Sequence, residues 1–76
     1  MRSFDLDVIP DRGSWLIRLE NRVMSGAATR AGAERIARHA AETLRLSGSE
    51  VRLRVWSGEG RVVSDEVLAA DVAVAA

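Results

Sequence analysis

Apolar and polar residues alternate along two stretches of the chain, and each stretch predicts a β-hairpin. The first is FDLDVIPDRGSWLIRLE (residues 4–20), in which Phe4, Leu6 and Val8 alternate with aspartates. Alternation with a period of two is typical of a strand with one buried face. Residues 10–13 (PDRG) favour a turn, because proline presets its backbone angle and glycine accepts a positive φ.

A four-residue turn at this point fixes the expected register of the first hairpin. It places Leu6 opposite Ile17 on the core face, with Trp15 in the same core. On the other face it places Asp5 opposite Arg18, which is a favourable pair of opposite charges. A shift of one residue would exchange the two faces, so the hydrophobic pattern supports this register.

The second alternating stretch is VRLRVWSGEGRVV (residues 51–63), with SGEG as its turn. This turn places Val55 opposite Val62 on the core face and Trp56 opposite Arg61 on the other. A guanidinium stacked on the exposed indole would contribute about 0.5–1 kcal/mol. The core-facing residues of its first strand are Val51, Leu53 and Val55.

Between the hairpins, TRAGAERIARHAAETLRLSGS (residues 29–49) has the periodicity of an amphipathic helix. Thr29 is the expected N-cap, and the Ser-Gly pair at 47–48 is the expected end. The side chains of the apolar stripe are small, so the helix is expected to lie close to a sheet. The stripe consists of Ala33, Ile36, Ala37, Ala40 and Leu44.

Two segments outside these elements are less regular. In residues 21–28, Val23 and Met24 are expected to extend the second strand, and a turn is expected at Ser25 and the following glycine. After Ser64, two acidic residues resemble a helix start. Residues 65–76 are therefore expected to form a short C-terminal helix from about Asp65, or a frayed tail.

The predicted fold class is α+β, with the element order β-β-α-β-β. One helix covers one face of an antiparallel four-stranded sheet, and the other face stays open. Residues 1–64 are expected to form this single domain. The pattern leaves open which strand of the first hairpin lies next to the second hairpin.

Three motifs in this pattern resemble the Domain of Unknown Function 2188 family of small bacterial proteins. They are VIPDRGSWLI (residues 8–17), TRAGAERIARHAAETL (residues 29–44) and VRLRVWSGEGRVV (residues 51–63). The chain departs from the family pattern at Gly32, where glutamate is usual, and at residue 59, where Glu-Gly replaces Asp-Gly. The resemblance implies the β-β-α-β-β fold and no chemistry, because the family has no established activity.

A weaker likeness is to the N-terminal domains of HicB-type antitoxins. It rests on the tryptophan hairpin and on the Thr-capped, alanine-rich helix. Those antitoxins usually carry a further DNA-binding segment. Nothing after Val63 is long or basic enough to be such a segment.

Composition changes this picture in two ways. All 11 basic residues are arginine, which is typical of a GC-rich bacterial genome. There is no cysteine, which excludes disulfides and thiolate metal sites. The formal net charge is zero, but residues 12–61 hold ten Arg and five Glu, while both ends are acidic. A balanced total argues against strong binding of a polyanion. No signal peptide or membrane span is evident, so a cytoplasmic protein is expected.

The chain offers no recognisable catalytic or metal-binding set. His39 is the single histidine and has no partner ligand, so it is expected to be solvated. The serines lie in turns and caps without a positioned base. SGEG is too short for a phosphate-binding loop. The sequence therefore predicts a non-enzymatic protein without cofactor or metal.

The open sheet face is the candidate interaction face. It is expected to bind a second copy of the chain or another protein, because it mixes apolar residues with both signs of charge. The alternative is a weak nucleic-acid-binding module, since basic residues beside an aromatic ring bind single strands in several folds. A homodimer is the preferred expectation. The residues of this face are Leu16, Arg18, Arg52, Arg54, Trp56 and Arg61.

Overall fold

The protein folds into a five-stranded mixed sheet with one helix packed on one of its faces. The computed structural model describes residues 2–71. Across the sheet the strand order is β3-β2-β1-β4-β5; β1 and β4 are parallel and all other neighbours are antiparallel. In chain order the elements are β1 (Arg2–Asp11), β2 (Ser14–Leu19), β3 (Arg22–Ala27), α1 (Arg30–Leu46), β4 (Ser49–Trp56) and β5 (Val62–Leu68).

The α+β class and the single helix are confirmed, but the predicted four-stranded antiparallel sheet is wrong in two details. A third strand, β3, precedes the helix, and β4 runs parallel to β1. Parallel strands need a long crossover connection. The segment from β2 through α1 supplies it, and β1 thereby becomes the central strand of the sheet.

The first hairpin turns through two residues instead of the predicted four. Arg12 (φ 49°) and Gly13 (φ 85°) both have positive φ, as the two central residues of a type I′ turn require. β1 therefore runs on to Asp11, and Leu6 lies opposite Leu19 where Ile17 was predicted. The shift is an even number of residues, so each side chain keeps its predicted face.

This shift changes which charges face each other across the hairpin. Arg18 lies opposite Asp7, and the predicted pairing of Asp5 with Arg18 is wrong. The predicted Ser25–Gly turn is also wrong, because those residues lie within β3. The chain turns earlier, at Glu20 (φ 51°) and Asn21 (φ 67°), and asparagine tolerates this left-handed conformation better than most residues.

Helix α1 has the predicted boundaries. The Thr29 hydroxyl oxygen accepts a hydrogen bond from the Gly32 N–H at 3.0 Å, which confirms the N-cap. The helix ends at Leu46, and Gly48 continues the chain with a positive φ of 94°. A Cβ at residue 32 would lie 3.2 Å from the Thr29 hydroxyl, so glycine leaves room for the cap.

The core lies between α1 and the sheet and consists of small and branched apolar side chains. The helix buries only alanines completely, which lets its backbone lie close to the strands. Trp15 packs against this core, as predicted. The buried apolar residues are Leu6, Val8, Ile17, Ala33, Ala37, Ala41, Val51, Leu53 and Val55.

The second hairpin contains an irregularity where β5 begins. Val55 lies opposite Ser64 and Trp56 lies opposite Val62, so both predicted cross-strand pairs of this hairpin are wrong. The helix predicted from about Asp65 does not form in the described residues, because β5 extends to Leu68. The rest of that prediction, beyond residue 71, lies outside the described residues.

Candidate functional site

The sheet face turned away from α1, called the outer face below, brings together five of the six residues predicted to interact. Leu16 and Arg18 lie on β2, while Arg52, Arg54 and Trp56 lie on β4. Strand β1 separates the two groups. The sixth residue, Arg61, is exposed in the turn between β4 and β5.

A row of alternating charges crosses the outer face. Arg18 lies opposite Asp7, Asp7 opposite Arg54, and Arg54 opposite Asp65. The row therefore runs through β2, β1, β4 and β5 with the signs plus, minus, plus, minus. The row therefore carries no net charge, and of its neighbours Asp7 and Arg54 form an ion pair, a contact that stabilises the sheet.

Asp7 lies within this row, and it was not among the residues predicted to interact. It is only 4% exposed although it lies on the outer face. Its Oδ1 accepts hydrogen bonds from Arg54 Nε at 2.9 Å and from Trp56 Nε1 at 2.8 Å, and its Oδ2 accepts from Arg54 Nη2 at 3.3 Å. A buried carboxylate needs such partners, because an unpaired buried charge is costly.

Trp56 is consequently held from two sides. Its indole N–H donates to Asp7, and the Arg54 guanidinium carbon lies 6.0 Å from the ring centroid. Arg61 was predicted to stack on this ring, but the register places Trp56 opposite Val62. The ring and its neighbouring arginine thus cover Asp7 and form a fixed part of the fold.

Arg52 forms a second ion pair on the outer face. Its Nε and Nη2 donate to the two carboxylate oxygens of Asp65 at 3.0 and 2.6 Å. The hydrogen bond from Arg52 lowers the pKa of Asp65, and the same contact raises the pKa of Arg52. Both side chains remain substantially exposed, so the pair is accessible to water and salt.

This ion pair predicts a measurable loss of stability in acid. Because the folded-state pKa of Asp65 is depressed, its contribution is present at neutral pH and is lost as the pH falls through that pKa. We expect the melting temperature to fall below about pH 4, and to fall less for Asp65→Asn. Thermal melts across this pH range measure the effect. Glu59→Gln, in an exposed turn, is the control and should keep the wild-type pH dependence; an unchanged dependence in Asp65→Asn would contradict the prediction.

Arg18 differs from the other arginines of the row. Its Nε is buried and, within residues 2–71, has no hydrogen-bond partner. Its neighbour across the strand, Asp7, is already occupied by Arg54 and Trp56. Arg18 is therefore the arginine of the row whose charge the described chain does not pair.

The exposed large apolar side chains lie mainly at the two edges of the sheet. Val23 (62% exposed) and Met24 belong to edge strand β3. Val62, Val63 and Val67 (60% exposed) belong to edge strand β5. The edges thus combine unpaired backbone groups with apolar side chains, a combination that favours pairing with another strand.

Residues 2–71 enclose no pocket, and they bring together no group of three or more His, Cys, Asp or Glu side chains suited to a metal ion. His39 is exposed on α1. The described helix is too short and too polar to cross a membrane. The surface features described above are therefore the candidate sites.

No protein-family model, no curated protein and no solved structure matches this chain.

Proposed function

We propose that the protein is a small non-enzymatic module that acts by associating with a second copy of itself. One observation supports this most strongly: in residues 2–71, five of the six exposed large apolar side chains lie on the edge strands β3 and β5, and the sixth, Leu46, ends α1. Soluble monomers usually blunt such edges with charge or cover them. A second copy would pair the free backbone groups and bury the valines.

The outer face supports this proposal less directly than expected. Aspartates and arginines of this face could have joined two copies, but they pair within one chain: Arg54 with Asp7, and Arg52 with Asp65. The charges of these side chains are already paired without a second copy. Leu16 and Arg18 remain as surface that an interface at this face would use.

The nucleic-acid alternative has weaker support. Of the arginines that it would use, Arg52 and Arg54 are held in ion pairs, and the Trp56 ring lies beside Arg54. Binding a phosphate would require breaking those pairs. Among the arginines of the predicted face, Arg18 and Arg61 form no ion pair with the described residues. The alternative stays a prediction. The resemblance to the Domain of Unknown Function 2188 family and the weaker likeness to HicB-type antitoxins also stay predictions, because both rest on the motifs alone.

The proposal predicts a homodimer at micromolar concentration. A dissociation constant of that order corresponds to about 8 kcal/mol of binding free energy, which a modest interface supplies. Light scattering coupled to gel filtration, or sedimentation equilibrium, measures the mass directly. We expect twice the 8.2 kDa of one chain. A mass of one chain even at high protein concentration would overturn the proposal.

A further inference from the structure

The two edges of the sheet are not equivalent. The pairing of β3 with β2 is interrupted in its middle, between Ile17 and Arg18, and a bulge of this kind hinders pairing with a further strand. The pairing of β5 with β4 is irregular only at its start, and residues 64–68 pair without interruption. β5 therefore presents the more regular edge.

The acidic residues of β5 do not protect it, although charge on an edge strand usually does. Asp65 is neutralised by Arg52 on the outer face. Glu66 accepts a hydrogen bond at 3.0 Å from Arg38 of helix α1, on the opposite face. Both carboxylates of the strand are thus paired within the chain, and the exposed valines remain.

We propose that two copies of the protein associate by antiparallel pairing of their β5 strands, about a two-fold axis that passes beside Asp65. This inference rests on the self-association proposed above. It joins the two sheets into one continuous ten-stranded sheet. An antiparallel pair of identical strands has its axis perpendicular to the sheet, so both helices lie on the same side.

This register makes the strand complementary to itself. Val63 lies opposite Val67 of the second copy, twice by symmetry. Directly opposite side chains on neighbouring strands have Cβ atoms about 4.5–5.5 Å apart, close enough for the valines to pack.

The polar residues also match in this register. Ser64 lies opposite Glu66 of the second copy, which places a hydroxyl donor beside a carboxylate acceptor. The two copies of Asp65 face each other at the axis, where like charges are unfavourable. Each is held by its own Arg52, so the axis carries two ion pairs and no net charge.

Two matched substitutions test the proposal. Val67 (60% exposed) lies opposite Arg52 on edge strand β5, and Val23 (62% exposed) lies opposite Arg18 on edge strand β3. A glutamate at either position therefore faces an arginine within the same chain. Val67→Glu and Val23→Glu consequently make the same chemical change at equivalent sites of opposite edges.

We expect Val67→Glu to be a monomer at concentrations where the wild type and Val23→Glu are dimers, with at least a tenfold rise in the dissociation constant by sedimentation equilibrium. Circular dichroism melts verify that each variant is folded. If both variants remain dimers, if Val23→Glu alone dissociates, or if both dissociate equally, the β5 proposal is overturned while self-association stands. A monomeric wild type would instead overturn self-association itself.

A cysteine substitution tests the register independently, since the chain has no native cysteine. Directly opposite Cα atoms in an antiparallel pair are about 4.5–5.5 Å apart, within the range that a disulfide spans. We expect Asp65→Cys to form a disulfide-linked dimer on mild oxidation and Val23→Cys not to do so. Efficient cross-linking of Val23→Cys with none for Asp65→Cys would overturn the proposed axis.

Discussion

Replacing Leu53 by alanine is expected to lower the free energy of unfolding by about 2–5 kcal/mol. Leu53 is 2% exposed and lies opposite Leu6 on the neighbouring strand β1. The helix contributes only alanines to the fully buried core, so the strands supply its bulky side chains. A cavity at this position would remove a large share of the stability of so small a domain.

Arg52→Ala is the control for this prediction, because the residue is next to Leu53 in sequence and lies on the opposite face. Its ion pair with Asp65 is exposed, so the substitution should destabilise the protein far less than Leu53→Ala does. Chemical denaturation of both variants gives the comparison. If Arg52→Ala is the more destabilised of the two, the assignment of the sheet faces is wrong.

Arg54→Glu is expected to lower the free energy of unfolding by about 3–5 kcal/mol, as does breaking other buried ion pairs. The substitution removes two hydrogen bonds to buried Asp7 and places a second negative charge beside it. Arg52→Glu makes the same change on the same strand, where the carboxylate partner Asp65 is exposed. Its effect should therefore be much smaller, and equal destabilisation of the two variants would contradict a special role for Asp7.

A double substitution distinguishes the effect of removing the whole ion pair from the effect of leaving Asp7 buried without its partner. Replacing Asp7 by leucine together with Arg54 by methionine removes both charges and puts apolar side chains in their place. Such replacements of buried ion pairs are often neutral or stabilising. We expect the double variant to be clearly more stable than Arg54→Glu, as measured by denaturant unfolding. Arg54 therefore stabilises the fold, and substituting it cannot test an interface without also destabilising the protein.

The faces of the strands were predictable from the sequence, whereas the partners across strands were not. The register of the first hairpin was wrong by two residues, yet Ile17 and Leu6 are buried as expected, because the side-chain period is two. The turn at Glu20 and Asn21 contains no glycine and so lacks the usual signal for a type I′ turn. β3 was therefore missed.

The role of Asp7 depends on a contact that no local pattern contains. Asp7 and Arg54 are 47 residues apart, and they meet because β1 and β4 are parallel neighbours. The order of the strands was not predictable from the sequence, so the pairing of these two residues was not predictable either. The helix predicted from about Asp65 was wrong for a related reason. Asp65 and Glu66 resembled a helix start, but they are paired by arginines of β4 and α1.

The central position of β1 has a consequence for how the protein folds. β1 is synthesised before the other strands of the sheet, and its partner β2 follows it directly in sequence. Its other edge stays unpaired until the ribosome has delivered the helix and β4. Contacts between residues so distant in sequence form slowly, because the intervening loop must close first. During that interval the nascent hairpin exposes an apolar strand edge, so the newly made chain is most prone to aggregate before β4 has docked.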